Sequence, residues 1–450
     1  MTSSKAMFAA ARGALVTFAV FLFAFGVRYY YDMTALVESP IRGDAVQYCA
    51  YAWNLANHGV FSMSRIGSGV PIPDGFRDPG FPVFLALLMK LVPDQDAWYG
   101  AVLIAQAALG ALTVWLTMVA GKGWLPRPII LTTGLLLAVW PHAVVMAGYL
   151  LSETLFSFLA LLALACLAKA TRSEGRARHL WSLVAGLSFA AAGLTNAVFS
   201  PIGPIVAVVL VWRDATHRKA WLGMLVFALL PILAWQARGM AIPTSESAGH
   251  RALMNFVQGS WPEYHDAYAP AVAGDPQARA TMKRIDDEYR NVAADPHIGV
   301  AAIARRFADS PGEYLAWYAG KPWLLWSWRV RMGQNDIYVF PTHDSPYDTQ
   351  PVWRAIIAVC VAMNPLLFVL ALSGIVLVFV RSFPSPARVA AFVLLFCSAV
   401  YTVLQAEPRY SAPLRPFEML MAACVVASVV GWIRARREHS GHFSPTQSQK

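Results

Sequence analysis

The sequence predicts an all-α integral membrane protein with about ten transmembrane helices and two helical extracytoplasmic loop regions. Three observations carry this. The 450 residues are 57% hydrophobic and only 14% charged, whereas a soluble domain carries about 25% charged residues. Apolar runs recur at roughly 20 residues, the length that crosses a hydrocarbon core of about 30 Å. Sixteen Trp and sixteen Tyr suit a chain with two membrane–water interfaces, where amphipathic rings accumulate.

Spans are expected near 11–31, 98–120, 127–147, 149–169, 180–196, 199–212, 219–237, 355–380, 388–404 and 411–432. Pro201 and Pro204 leave the boundary between 180–196 and 199–212 open to redrawing. The first span reads as retained, because its apolar core is long and no small-residue cleavage site precedes Arg28. With the N-terminus inside, the inner segments hold 17 of the 36 basic residues and three of the 26 acidic ones, Glu174, Asp214 and Glu438. That asymmetry follows the positive-inside rule and puts both termini in the cytoplasm. It also accounts for the net charge of +10 without a nucleic-acid partner.

Four regions follow. Residues 1–237 form an N-terminal transmembrane module that includes a first outer loop, 32–97. Residues 238–354 form a helical extracytoplasmic loop, 355–433 hold three C-terminal spans, and 434–450 read as a disordered cytoplasmic tail. The five cysteines show no disulfide or zinc spacing and read as small apolar side chains. The sequence has no internal repeat and no nucleotide-binding glycine loop.

The first outer loop opens a short amphipathic helix at Asp44, with Ala45, Tyr48, Ala52 and Leu55 on one stripe and a stop at Gly59. The apolar run Val83–Val92 is too short to span and reads as interfacial or re-entrant. In the second loop, Asp275-Pro276 and Asp295-Pro296 signal helix starts. Ser310-Pro311-Gly312-Glu313 has the form of a capping box. The cation-flanked run Trp323–Trp328 reads as an interface anchor or as a platform for a lipid chain.

Several charged residues gather at the outer face in this topology: Asp44, Arg77, Glu153, Arg238, Glu407 and Arg409. Carboxylates near a bilayer are costly, so each needs a partner or a task. Asp is a preferred helix cap, which is the plain reading of Asp44. Headgroup contact is the plain reading of the arginines, and an ion pair with a neighbouring Arg is that of Glu153. Glu407 is expected to pair with Arg409. His58, His142 and His343 read as satisfied polar groups.

Taken in order, these residues carry a resemblance. Arg42-Gly43-Asp44-Ala45 with Tyr48, Asn54-Leu55 and Gly59 resembles the first-loop motif of the GT-C membrane glycosyltransferases. The branch is the one related to protein O-mannosyltransferases and the lipid A aminoarabinose transferase. Arg77-Asp78-Pro79-Gly80-Phe81-Pro82, Leu151-Ser152-Glu153-Thr154-Leu155, Arg238 and Pro408-Arg409-Tyr410 resemble further motifs of that branch. The match runs from about 40 to 415. Thr195-Asn196 departs from it, standing where many relatives have an Arg followed by Pro, and there is no large soluble C-terminal domain.

The resemblance implies an inverting transfer of a hexosyl or pentosyl group from a polyprenyl-phosphate donor to a hydroxyl acceptor. The site would face the periplasm at the bacterial inner membrane. Asp44 would be the general base, with Glu153 as its catalytic companion. Arg77, Arg238, Arg409 and Lys321 would hold the donor phosphate, and Tyr48, Asp78, Glu407 and Tyr410 would bind substrate. The acceptor would be a lipid, polysaccharide, glycolipid or protein. A divalent cation shared by Asp44 and Glu153 is the one cofactor left open. The competing classes are an O-antigen-ligase-like polymerase, which lacks the Asp44 motif, a secondary transporter, which places ionisable groups at mid-membrane, and a non-catalytic lipid-binding protein.

Overall fold

The computed structural model describes residues 2–242, 247–334 and 336–441. In chain order the helices are α1 Thr2–Thr34, α2 Asp44–His58, α3 Gly80–Leu91, α4 Gln95–Gly121, α5 Arg127–Val139, α6 Pro141–Val145, α7 Glu153–Ala170, α8 Gly175–Gly193, α9 Ile202–Arg213 and α10 Arg218–Met240. The region after α10 contributes α11 Ala248–Ser260, α12 Tyr264–Ala273, α13 Pro276–Ala294, α14 Pro296–Asp309, α15 Pro311–Leu325 and α16 Pro346–Thr349. The chain then continues with α17 Pro351–Val380, α18 Ser385–Val403, α19 Pro408–Ser411 and α20 Arg415–Gly441.

The protein is a multi-pass integral membrane protein. Among the described residues, seven helical stretches are long and apolar enough to cross a bilayer, and α5 with α6 makes an eighth, bent by 59° at its break. Trp140 and Pro141 stand at that break, where proline removes a backbone donor and turns the helix. The expected spans 180–196 and 199–212 exist as α8 and α9 but fall short of that test. The first turns of α8 carry Arg176, Arg178 and His179, and α9 has only 12 residues. Leu230, Leu366 and Val376 stand more than half exposed on the bundle surface, as side chains facing lipid would.

The core lies between α4, α7, α18 and α20. Gly374 of α17 lies against the Met421 carbonyl of α20 so closely that no Cβ fits there. Small residues permit such approaches between membrane helices. Arg415 is buried in α20, 2.9 Å from Glu418 and 2.9 Å from Asn364, so its charge is paired inside the bundle.

The two long loop regions, 32–97 and 238–354, each fold into short helices. Asp275 accepts from the Ala278 N–H (2.7 Å) and starts α13, while Asp295 accepts from His297 and Ile298 and starts α14. Ser310 makes no side-chain cap, so the capping box expected at α15 does not form. Helices α11 and α12 were not among the three expected in this region. Helices α11 to α14 share a small core of Val257, Tyr264, Ile285, Val292 and Ile303. The two loop regions are joined by a short antiparallel pair, Leu36 opposite His343 and Val37 opposite Thr342.

Candidate active site

Asp44 is the first residue of α2, and Gly43, at φ 55, holds the cap position. The carboxylate caps nothing. It accepts from Arg77 Nη2 at 2.6 Å through one oxygen and from Arg409 Nη2 at 2.9 Å through the other. Arg409 also donates through Nε to Glu153. Four residues from α2, the loop before α3, the start of α7 and the turn at α19 thus form one chain of ion pairs.

Local structure aims each of them. Gly59, at φ 69, ends α2 so that the following loop returns, and Arg77 comes back along the helix it left. Arg77 Nε donates to Gln47 at 2.5 Å, and its guanidinium lies 5.1 Å from the ring centre of Tyr48. Tyr48 OH is 3.4 Å from Ser152 Oγ, next to Glu153. Asp44 is 32% exposed against 14% for Arg77, 15% for Arg409 and 9% for Glu153. Of the four, it is the group presented outward. Burial alone would raise its carboxyl, but the guanidiniums of Arg77 and Arg409 outweigh burial and hold it well below the usual carboxylate range.

These residues line a cavity of about 390 Å³. Asp44, Glu153, Arg77, Arg409, Tyr48, Asp78, Glu407 and Tyr410 all border it. Asp78 is paired with Arg251 at 2.8 Å and accepts from the Ala197 N–H at 3.2 Å. Tyr410 donates to Gln405 (3.2 Å) and stacks on Tyr401 at 5.2 Å.

Glu407 does not pair with Arg409, which donates through Nε to Glu153 and through Nη2 to Asp44. Its Oε1 accepts from the backbone N–H groups of Arg331 (2.8 Å) and Met332 (3.3 Å), and its Oε2 faces His265 Nε2 at 3.5 Å. Burial pushes the Glu407 carboxyl up to about 7, against those two N–H groups, and lowers His265 to about 4.

Arg238 and Lys321 are not brought to the cavity. Arg238 donates to the carbonyls of Asp74 (2.9 Å) and Phe61 (3.2 Å) and lies 4.6 Å from the Trp235 ring centre. It pins the loop between α2 and α3. Lys321 is buried, donating to the carbonyls of Gly259 (2.9 Å) and Leu404 (2.8 Å) near the C-terminal ends of α11 and α18, where a cation is favoured. Arg238 is the side chain that reaches the Asp74 carbonyl, and Lys321 the one that reaches the Leu404 carbonyl, while the Phe61 and Gly259 carbonyls also accept from Asp74 N–H and Trp317 Nε1.

Of the histidines, His142 is buried 2.8 Å from the Trp328 carbonyl and His343 stands 3.4 Å from Glu38. A divalent cation does not fit the groups present. The Arg409 guanidinium bonds both Asp44 and Glu153, and no cluster of three or more His, Cys, Asp or Glu is placed to ligate among the described residues.

Sequence reasoning missed Gln47, Arg251, Asn255 and Gln258 on the cavity wall. Gln47 follows Asp44 by one helical turn, which was a usable signal. The other three lie on α11, which was not expected. Thr195 and Asn196 line the wall as well, with Asn196 Nδ2 donating to Tyr401 OH at 2.9 Å.

No family model matches the sequence, and no curated protein sequence does. Solved structures do match. The oligosaccharyltransferase AglB from Archaeoglobus fulgidus, in complex with an inhibitory peptide and a dolichol-phosphate, superposes over 98% of this chain and 53% of its own, at 12% identity and TM-score 0.50. This chain has the GT-C fold. The form of the same oligosaccharyltransferase tethered to an acceptor peptide gives TM-score 0.50 at 12% identity, over 94% of this chain and 50% of its own. ArnT from Cupriavidus metallidurans, bound to undecaprenyl phosphate, gives 17% identity over 92% of this chain and 78% of its own, at TM-score 0.40. The GT-C fold here spans about half the length of the archaeal enzyme.

Proposed function

We propose that this protein is an inverting glycosyltransferase that moves a sugar from a polyprenyl-phosphate donor to an acceptor hydroxyl at the outer face of the bacterial inner membrane, with both termini in the cytoplasm. The observation that carries this reading is the Asp44 carboxylate held between Arg77 and Arg409 on the wall of one cavity. A fold shared with a protein solved with dolichol-phosphate supports the lipid-phosphate donor.

The chemistry follows from the charges. The acceptor oxygen bonds to the anomeric carbon while the bond from that carbon to the phosphate oxygen breaks. Asp44 takes the hydroxyl proton, a step that contributes about 10²–10⁴-fold. The departing lipid phosphate gains a negative charge as it leaves. Arg77 and Arg409 can each offer it two N–H groups.

Both arginines are hydrogen-bonded to Asp44. A donor phosphate drawing them away leaves the carboxylate with less counter-charge, which raises its affinity for a proton. Donor binding and base strength are thereby linked. Glu153 keeps Arg409 oriented through this exchange. Tyr48, Asp78 and Tyr410 shape the pocket around the substrate. The acceptor is a hydroxyl on a lipid, polysaccharide, glycolipid or protein.

The test is donor turnover in nanodiscs, with a panel of radiolabelled polyprenyl-phosphate sugars and a membrane extract as acceptor. Transfer of label from one donor, with release of polyprenyl phosphate, is the expected result. No transfer from any donor, with no binding of polyprenyl phosphate, would contradict the reading.

A further inference from the structure

Helix α11 has two faces. Leu253, Phe256 and Val257 pack into the small core it shares with α12 to α14. Arg251, Asn255 and Gln258, three or four residues apart and so on one side of the helix, line the cavity. Each of these three is half-buried, so its side chain can be reached from the cavity.

The helix is tied at both ends to the segments that carry the phosphate-site arginines. In its first half, Arg251 pairs with Asp78 at 2.8 Å, and Asp78 follows Arg77 in the chain. At its last turn, Gly259 meets the Leu404 carbonyl so closely that no Cβ fits, and Lys321 donates to the carbonyls of both residues. Leu404 ends α18 and opens the turn that leads to Arg409. From Arg251 to Gly259 the helix rises about 12 Å, and Asn255 and Gln258 lie between the two ties. The part of a ligand next to a phosphate on Arg77 and Arg409 therefore meets this side of α11.

We infer that the side-chain amides of Asn255 and Gln258 bind hydroxyls of the sugar carried by the donor. The inference deepens the glycosyltransferase reading above and rests on it. Neither amide makes a hydrogen bond to another described residue, whereas Arg251 beside them is already paired. An amide offers both donors and an acceptor, and a hydroxyl likewise donates and accepts. Two uncharged amides suit neither a phosphate, which the arginines hold, nor a lipid chain, which calls for an apolar lining. They are about 4.5 Å apart along the helix axis, a spacing that one sugar ring can bridge. The ligand class implied is the neutral, hydroxyl-bearing ring of a polyprenyl-phosphate monosaccharide.

The test measures binding of bare polyprenyl phosphate and of a panel of polyprenyl-phosphate monosaccharides to the full chain in nanodiscs, with no acceptor present. The wild type binds at least one sugar-bearing lipid more tightly than the bare one. Asn255→Ala and Gln258→Ala, made separately, each remove one amide and place the best helix former on a half-buried face, so α11 persists. If one variant does not fold, the other carries the test. Each lowers the sugar increment by about fivefold, the size of one neutral hydrogen bond, and leaves binding of bare polyprenyl phosphate unchanged. An increment unchanged in either variant, or no sugar-bearing lipid binding better than the bare one, would overturn the inference while leaving the phosphate site standing. An equal loss for bare and sugar-bearing lipids would overturn it too, as would a raised KM for the acceptor with the increment intact, which would give the amides to the acceptor. Failure of the wild type to bind bare polyprenyl phosphate would instead overturn the glycosyltransferase reading itself.

Discussion

Asp44 and Glu153, which open two different helices, are joined through the single guanidinium of Arg409. One planar group with donors on two edges makes that bridge possible, and a lysine ammonium cannot reproduce it. Arg409→Lys is therefore expected to lower sugar transfer by about 10²-fold, the scale of losing one charge-stabilising donor. Single-turnover donor cleavage measures it. Turnover within a fewfold of wild type would remove Arg409 from the site.

Arg238 works at a different place. Its guanidinium satisfies the carbonyls of Asp74 and Phe61. Arg238→Gln leaves the Asp74 carbonyl poorly paired, while Phe61 keeps the Asp74 N–H, and is expected to cost about 1–3 kcal/mol of stability, read as a lower Tm. Affinity for bare polyprenyl phosphate should stay within about twofold. A large loss of that affinity at unchanged Tm would return Arg238 to the phosphate site.

Glu407 gives a pH signature. Its carboxyl is raised from 4.5 to about 7 in the folded chain, chiefly by burial. The folded state then binds a proton more tightly than the unfolded state. The stabilising contribution is fully present below about pH 4.5 and is lost as pH rises through about 7. Glu407→Gln is permanently neutral and escapes this loss. Relative to wild type it should gain stability on the order of 3 kcal/mol between pH 4.5 and 8. His265, Arg331 and Arg409, which face Glu407, are common to both proteins. Unfolding midpoints across that range check the sign. A difference that stays flat or falls with pH would contradict it.

Much of this architecture was legible in the sequence, because hydrophobic length and proline-marked helix starts are local signals. Asp275-Pro276 and Asp295-Pro296 begin helices where expected, and α2 runs from Asp44 to its stop at Gly59. Partner choice was not local. Glu407 and Arg409 are neighbours in sequence, yet Arg409 turns to carboxylates on α2 and α7 while Glu407 turns to the backbone at Arg331. Arg251 reached the cavity wall on α11, a helix not expected from the sequence although Leu253, Phe256 and Val257 form its apolar face. Arg238 and Lys321 carry the right charge for a phosphate, but each was taken by carbonyls of chain segments that only the folded bundle brings near.

The central claim is that Asp44 is the base and that its two arginines are lent to the donor phosphate. Asp44→Asn tests both halves in one protein. Transfer should fall by about 10²-fold or more, while affinity for polyprenyl phosphate should hold or tighten, because Arg77 and Arg409 no longer face a competing carboxylate. Undiminished transfer by Asp44→Asn would contradict the account.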